Sequence, residues 1–443
     1  MTWSGAFAFK QFNVAVAPKY DSPSLVSVSG LQQNYFNRFD RDSSRYDATG
    51  ALSIAAPTSA GEHLIRIGGQ LAHTSYDGID RSNPVAITNA NGATLQQIDY
   101  LGSGNVGATN TEIAGFVEDH WTLNQYVTLN GGLRYAYEHV TGDHTLAPRV
   151  DASVRPFEHG KTVIKGGIGR FFDALPLNAT DFASQQSRQI TTYDANGNLA
   201  GSSMLVNRIA TGGLQMPVST AWNAEVDQML SANWLARAGY RETHGSNQLV
   251  VDPLVNDGVM LLSNRGRARS REFEFTVRRQ FKDAGSVTAS YVRSRTWADL
   301  NDFVSIYGDL REPVVLPNEY SRQGFDAPNR FLVWGVINLP KSFTIAPTVE
   351  YRNGFPYTVV DERQQVVGAR NQAGRYPDLV TLDMAVTKDL QMLKHRVRVG
   401  VQVFNLTNHF NPQDLQNNIA SPYFGDYANS IGRQVRAKFV ILF

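Results

Sequence analysis

Residues 395–404 read HRVRVGVQVF, so that Val397, Val399, Val401 and Val403 alternate with Arg396, Arg398, Gly400 and Gln402. Successive side chains of a β-strand point to opposite sides, and strict alternation is therefore the mark of a strand whose two faces meet different surroundings. The pattern recurs in LVTLDMAVTK, where Val380, Leu382, Met384 and Val386 oppose Thr381, Asp383, Ala385 and Thr387. In REFEFTVRR, Phe273, Phe275 and Val277 oppose Glu272, Glu274, Thr276 and Arg278. Helical periodicity is hard to find anywhere in the chain. A fold made almost wholly of strands with one greasy and one ionic face is the expectation.

The links between strands sharpen it. The alternation predicts strands at 25–36, 43–56, 62–76, 110–121, 125–139, 146–157, 160–173 and 217–230, then at 233–244, 268–282, 285–297, 326–339, 342–355, 376–389, 393–406 and 430–443. Tight turns such as PTSAG, TLNQ, EHG, SA, KD, PKS and QML alternate with long polar excursions at 77–109, 174–216, 245–267, 298–325, 356–375 and 407–429. The link at 140–145 is a short exception. Short turns at one end of a meander and long loops at the other is how transmembrane β-barrels are built. Hydrocarbon offers the backbone no hydrogen-bond partner, so only helices and closed sheets span it. The apolar faces would look at lipid and the ionic faces at an enclosed, wet interior.

Composition agrees. No stretch reaches the apolar length of a transmembrane helix. Lys plus Arg is 41 against 40 for Asp plus Glu, a balance that gives no reason to expect nucleic acid. Cysteine is absent, which removes disulfides, thiolate metal sites and thiol nucleophiles. Aromatic residues gather near predicted strand ends, as at Trp121, Tyr126, Tyr135, Tyr137, Phe171, Phe172, Trp222, Trp234 and Tyr240. Amphipathic rings favour the membrane interface. A soluble propeller or sandwich also alternates, but does not usually segregate its link lengths in this way.

Four stretches resemble a known family. EIAGFVEDHWTLNQYVTLNGGLRYAYE (112–138) is similar to a hairpin typical of TonB-dependent outer-membrane transporters, and LAPRVDASVRPFEHGKTVIKGGIGRFFD (146–173) to the hairpin that follows it there. FNLTNHFNP (404–412) resembles the penultimate strand end of the Oar-like branch, whose members carry a carboxypeptidase-regulatory-like domain before the plug. The terminal run RQVRAKFVILF, with Phe439, Ile441 and Phe443 on one face, is similar to the signal read by the barrel-insertion machinery. The resemblance runs from about residue 43 to 443. It implies an all-β, antiparallel up-and-down barrel in the outer membrane of a Gram-negative-type bacterium, here sixteen to eighteen strands of an expected 22. Residues 1–42 would add N-terminal barrel strands. The signal peptide, the TonB-engaging motif and the plug of that family are not visible in this chain.

The resemblance further implies uptake or surface binding of a bulky nutrient (a carbohydrate, a peptide or a metal chelate). The TonB energy complex would act through the plug, and the barrel would do no covalent chemistry. A passive porin and a soluble β-rich adhesion protein are the rival readings. No G-x-S-x-G elbow, H-E-x-x-H or phosphate-cradling loop is present. The histidines, His63, His73, His120, His139, His144 and His159 among them, show no reliable ligand spacing, and no cofactor is implied. DANGN (194–198) and NANGA (89–93) read as hairpin tips rather than as calcium loops, because the distal bidentate glutamate is lacking. Glu272, Glu274, Arg278, Asp383, Arg396 and Arg398 are the candidate lumen-lining residues. Nutrient specificity is expected in the long loops, above all 174–216 and 298–325.

Overall fold

The computed structural model describes the chain except for residues 33, 158–159, 309–310, 393–394 and 443. Its backbone is one antiparallel meander, followed here as β1 (Thr2–Val16), β2 (Asn37–Thr58), β3 (Gly61–Ser82), β4 (Asn105–Thr122), β5 (Val127–Glu138), β6 (Asp143–Val154), β7 (Thr162–Phe172) and β8 (Val218–Ser231). It continues through β9 (Trp234–Leu254), β10 (Val259–Gln280), β11 (Gly285–Asp299), β12 (Asn329–Leu339), β13 (Phe343–Arg352), β14 (Leu379–Met392), β15 (His395–Phe404) and β16 (Gln434–Leu442). Each strand pairs with the next in the meander, from β1 on β2 to β15 on β16. Among the described residues no pairing joins β1 to β16, so these two are the edge strands of the sheet.

Turns at one end are short, as at 59–60, 232–233 and 340–342. At Gly285 the backbone turns with φ +103, and a Cβ there would collide with the Val336 carbonyl oxygen. Only glycine satisfies both conditions.

Three sequence expectations are corrected. The predicted loop 245–267 is instead the continuation of β9 to Leu254 and of β10 from Val259, joined by a four-residue link. The excursion at 77–109 shrinks likewise to 83–104. In the β9 and β10 extensions the alternation is lost because consecutive residues are buried on both faces, Val250 with Val251 and Val259 with Met260. Finally, the strand predicted at 25–36 is a small hairpin of 24–27 and 30–32, while the barrel strand of this region is β1.

The long links are structured. Strands at 85–88, 94–101, 187–193 and 199–209 extend from the loops, with parallel pairings of 24–26 to 85–87 and of 206–209 to 259–262. Here lies the dry core of the molecule. Phe182, Leu205, Val251, Met260, Leu262 and Phe303 are fully buried in one cluster, and Phe36, Val85 and Ile87 in a second. In the meander the arrangement is the reverse. Phe273, Phe275, Leu133, Val150, Ile168, Val401 and Phe439 are exposed, and they share one face through the register. Exposed apolar rows of this extent on a soluble sheet would drive aggregation; on a lipid-facing wall they are what the medium requires.

Candidate functional site

The polar face of the sheet is its concave one. A cavity of about 480 Å3 is lined by Ser4, Thr49, Gln70, Glu118, Arg134 and Arg149 among others, which come from six consecutive strands. A second, of about 860 Å3, includes Arg352, Thr381, Asp383, Phe404 and Arg436 from β13 to β16, together with residues of the adjoining loops. Only a wall curved toward its ionic side brings that many neighbouring strands around one space.

Ion pairs stitch this face from strand to strand. Lys165 of β7 reaches Glu225 Oε1 at 2.9 Å and Asp227 Oδ2 at 2.7 Å on β8, and Arg237 of β9 meets Asp227 Oδ1 at 2.6 Å. Arg134 of β5 donates to Glu112 of β4 at 2.8 Å and to Gln70 of β3 at 2.9 Å, so one guanidinium spans three strands.

The six candidate lumen residues fall on the polar face but do not gather into one site. Arg396 and Arg398 come together on Asp389, with contacts of 2.6 Å each. Glu274 accepts from Thr276 Oγ1 at 2.7 Å and Ser290 Oγ at 3.2 Å. Arg278 donates to Gln280 at 3.4 Å, and Glu272 sits opposite Arg241 and Ser294 in the register. Asp383 lies apart, in the 860 Å3 cavity, accepting from the Asn405 amide at 2.8 Å. Asp389, Lys165, Glu225, Asp227 and Arg237 were not singled out in the sequence. Lys165 could have been, since GKTVIKGGIG places it opposite Ile164 and Ile168 in the alternation.

Phe439 and Ile441 share the apolar face with Val399 and Val397 through the β15–β16 register, whereas Phe443 and His159 lie outside the described residues. Val397, near the start of β15, is buried where Val401 and Phe439 are exposed. Of the interfacial aromatics, the Trp222 and Tyr240 rings meet at a tilt on the apolar face with centroids 5.0 Å apart, while Phe171 falls on the polar one, beneath Arg149. Cysteines at Val399 and Val401 should therefore react with lipid-soluble thiol reagents in a bilayer. Cysteines at Arg398 and Gln402 should react with water-soluble ones, and the opposite pattern would reverse the faces.

Above the concave face the loops form a cap anchored by a buried ionic knot. Asp80, 3% exposed, accepts from Asn37 at 2.8 Å, from Arg41 at 2.5 Å and from Arg311 at 2.7 Å. Arg311 also donates to Gln185 Oε1 at 3.0 Å, and its own amide donates to Tyr35 at 2.6 Å. Burial of its guanidinium disfavours the charged form, and the Asp80 carboxylate opposes that. The two Asn-Gly tips are closed by their own first residues. Asp194 Oδ1 accepts from the amides of Asn196 and Asn198, and Asn89 Oδ1 from those of Asn91 and Ala93. Those amides hold the Asp194 carboxyl below its usual range.

Comparison with known proteins places this geometry. Residues 2–406 match the family model described as TonB dependent receptor-like, beta-barrel. The TonB-dependent transporter Oar of Myxococcus xanthus is 25% identical over 380 residues, which are 68% of this chain and 36% of that protein. Among solved structures, the outer membrane transporter YddB from Escherichia coli superposes with a TM-score of 0.68 at 12% identity, over 99% of this chain and 60% of that one. The ferric enterobactin receptor PfeA from Pseudomonas aeruginosa gives 0.67 at 14% identity, over 99% of this chain and 59% of that one. The chain thus spans about a third of the curated relatives it matches and about three-fifths of the structural neighbours. With a lipid-compatible outer face, an ionic concave face and this match along most of its length, the chain belongs to the TonB dependent receptor-like β-barrel family, proteins of the outer membrane.

Proposed function

We propose that the chain is the barrel portion, residues 43–443 preceded by β1, its following loop and the first residues of β2, of a transporter that takes up a bulky nutrient across the outer membrane. The capped concave face carries this reading. Its ionic rows suit an enclosed aqueous path, and the loop cap supplies a rigid surface for capture before transit. In this reading Glu272, Glu274, Arg278, Asp383, Arg396 and Arg398 line the path or meet a plug. Phe439, Ile441 and Phe443 are the insertion signal read by the barrel-assembly machinery. Energy from the TonB complex reaches the barrel through the plug, and the barrel itself does no covalent chemistry.

The decisive experiment is accumulation of a labelled carbohydrate, peptide or metal chelate by cells with and without the gene. Uptake that requires both the gene and an intact TonB energy complex is expected. Uptake that needs the gene but survives loss of the energy complex would make the protein a passive porin instead.

A further inference from the structure

Several loops of the cap converge on a cavity of about 510 Å3 that none of the six candidate lumen residues touches. Its apolar lining includes Ile190, Leu205, Met260, Val314 and Leu316. Its charges are uneven: Arg188, Arg363 and Arg370 against the single carboxylate of Glu319.

None of the three guanidiniums has a carboxylate in hydrogen-bond contact among the described residues. Arg188, 4% exposed, donates to the Pro313 carbonyl oxygen at 3.1 Å and lies 5.6 Å from the Tyr100 ring and 5.5 Å from the Tyr307 ring. Arg363 donates to the carbonyl oxygens of Leu95 at 3.3 Å and Tyr193 at 3.0 Å. Arg370 donates to the Pro317 carbonyl oxygen at 3.0 Å and to Asn301 Oδ1 at 2.5 Å. Glu319 is turned to other donors, accepting from the Arg370 amide at 2.9 Å and from Gln372 Nε2 at 3.4 Å. The neighbouring Asp80 is already shared between Arg41 and Arg311. The buried Tyr100 hydroxyl beside Arg188 has no hydrogen-bond partner among the described residues.

A guanidinium taken out of water without a counter-charge is costly, and neutral carbonyl dipoles return only part of the loss. The carbonyls fix each fork in place without neutralising it. A planar oxyanion is the complement that several converging arginines recognise. The surrounding Ile, Leu, Met and Val side chains favour an apolar body attached to it.

We propose that this cavity binds an amphipathic organic anion, with its carboxylate or similar oxyanion held by Arg188, Arg363 and Arg370 and its apolar part against Ile190, Leu205 and Met260. The proposal rests on the uptake reading for its biological meaning and narrows the nutrient to an anion with an apolar body.

The full chain, reconstituted in nanodiscs of uncharged lipid, would be titrated with 1-naphthoate and with its neutral analogue 1-naphthamide. Naphthoate is expected to bind at least about tenfold more tightly, as a charge-assisted contact in a sheltered site implies. The double variant R363Q/R370Q, at two half-buried positions, should lose about tenfold for naphthoate and leave naphthamide unchanged. R188Q, if it retains the strand spectrum and heat-modifiable migration of the parent, should lose at least as much. Equal binding of the two probes, an unaltered naphthoate affinity in R363Q/R370Q, or no naphthoate binding at all would overturn the proposal. Each of those results leaves the uptake reading intact, because that depends on energised accumulation in cells.

Discussion

Val349→Arg is expected to cost ~2–4 kcal/mol of stability in a bilayer, whereas Thr348→Arg, one residue earlier, should cost little. Val349 stands near the middle of β13 between Val333 and Leu382, all three on the apolar face. An arginine there must either abandon hydration in hydrocarbon or drag water and headgroups inward. Thr348 points to the other face, opposite Asp383, where a cation finds both water and a carboxylate. Folded fractions in lipid vesicles over a urea series, read by heat-modifiable migration, give both values. Equal costs at the two positions would mean that the apolar face does not meet lipid.

Asp80→Ala should be the most damaging single change in the cap, costing about 3–5 kcal/mol of cap stability. Among the described residues, the deletion leaves the buried Arg311 guanidinium with Gln185 Oε1 as its remaining side-chain acceptor. Asp80 sits at the outer end of β3 and Arg311 in the long loop after β11, so the knot pins that loop to the sheet. Hydrogen exchange in the described parts of 300–317 should accelerate by about two to four orders of magnitude, the factor that such a cost implies. The strands within the membrane should keep their protection. Combining Asp80→Ala with Arg311→Met should recover part of the loss, because the more deeply buried of the two guanidiniums that Asp80 serves is then removed with it. A double variant as unstable as the single one would show that the knot is not what holds the loop.

Most of the meander was legible in the chain because a membrane wall imposes one rule on every strand that crosses it. Phe273, Phe275 and Val277 on β10 and Val399 and Val401 on β15 obey that rule, and fifteen of the predicted strands fall on members of the meander. The rule fails where its cause fails. In β1 the apolar residues switch faces, from Phe7 and Phe9 to Phe12 and Val14, and the alternation breaks in mid-strand. At the outer ends of β9 and β10 both faces lie beyond the apolar wall. Asp252 looks like a loop residue although it continues the ladder opposite Leu261, and so do Arg265 and Arg267, which lie within β10 at the register shifts of that ladder.

The cap was the opposite case. Arg311 and Asp80 are 231 residues apart, and nothing local in either stretch announces that they meet. Arg188, Arg363 and Arg370 converge only because separate loops fold over one another. By itself, then, the sequence determined the strands, their faces, the uneven lengths of their links and the family. The strands and their faces follow from nearest-neighbour periodicity against a uniform medium, and the family from the resemblance of four stretches. Which ionic side chains pair, which arginines stay uncompensated and where a dry core forms were decided by tertiary structure alone, because those are contacts between distant segments whose energies depend on burial that no local pattern encodes.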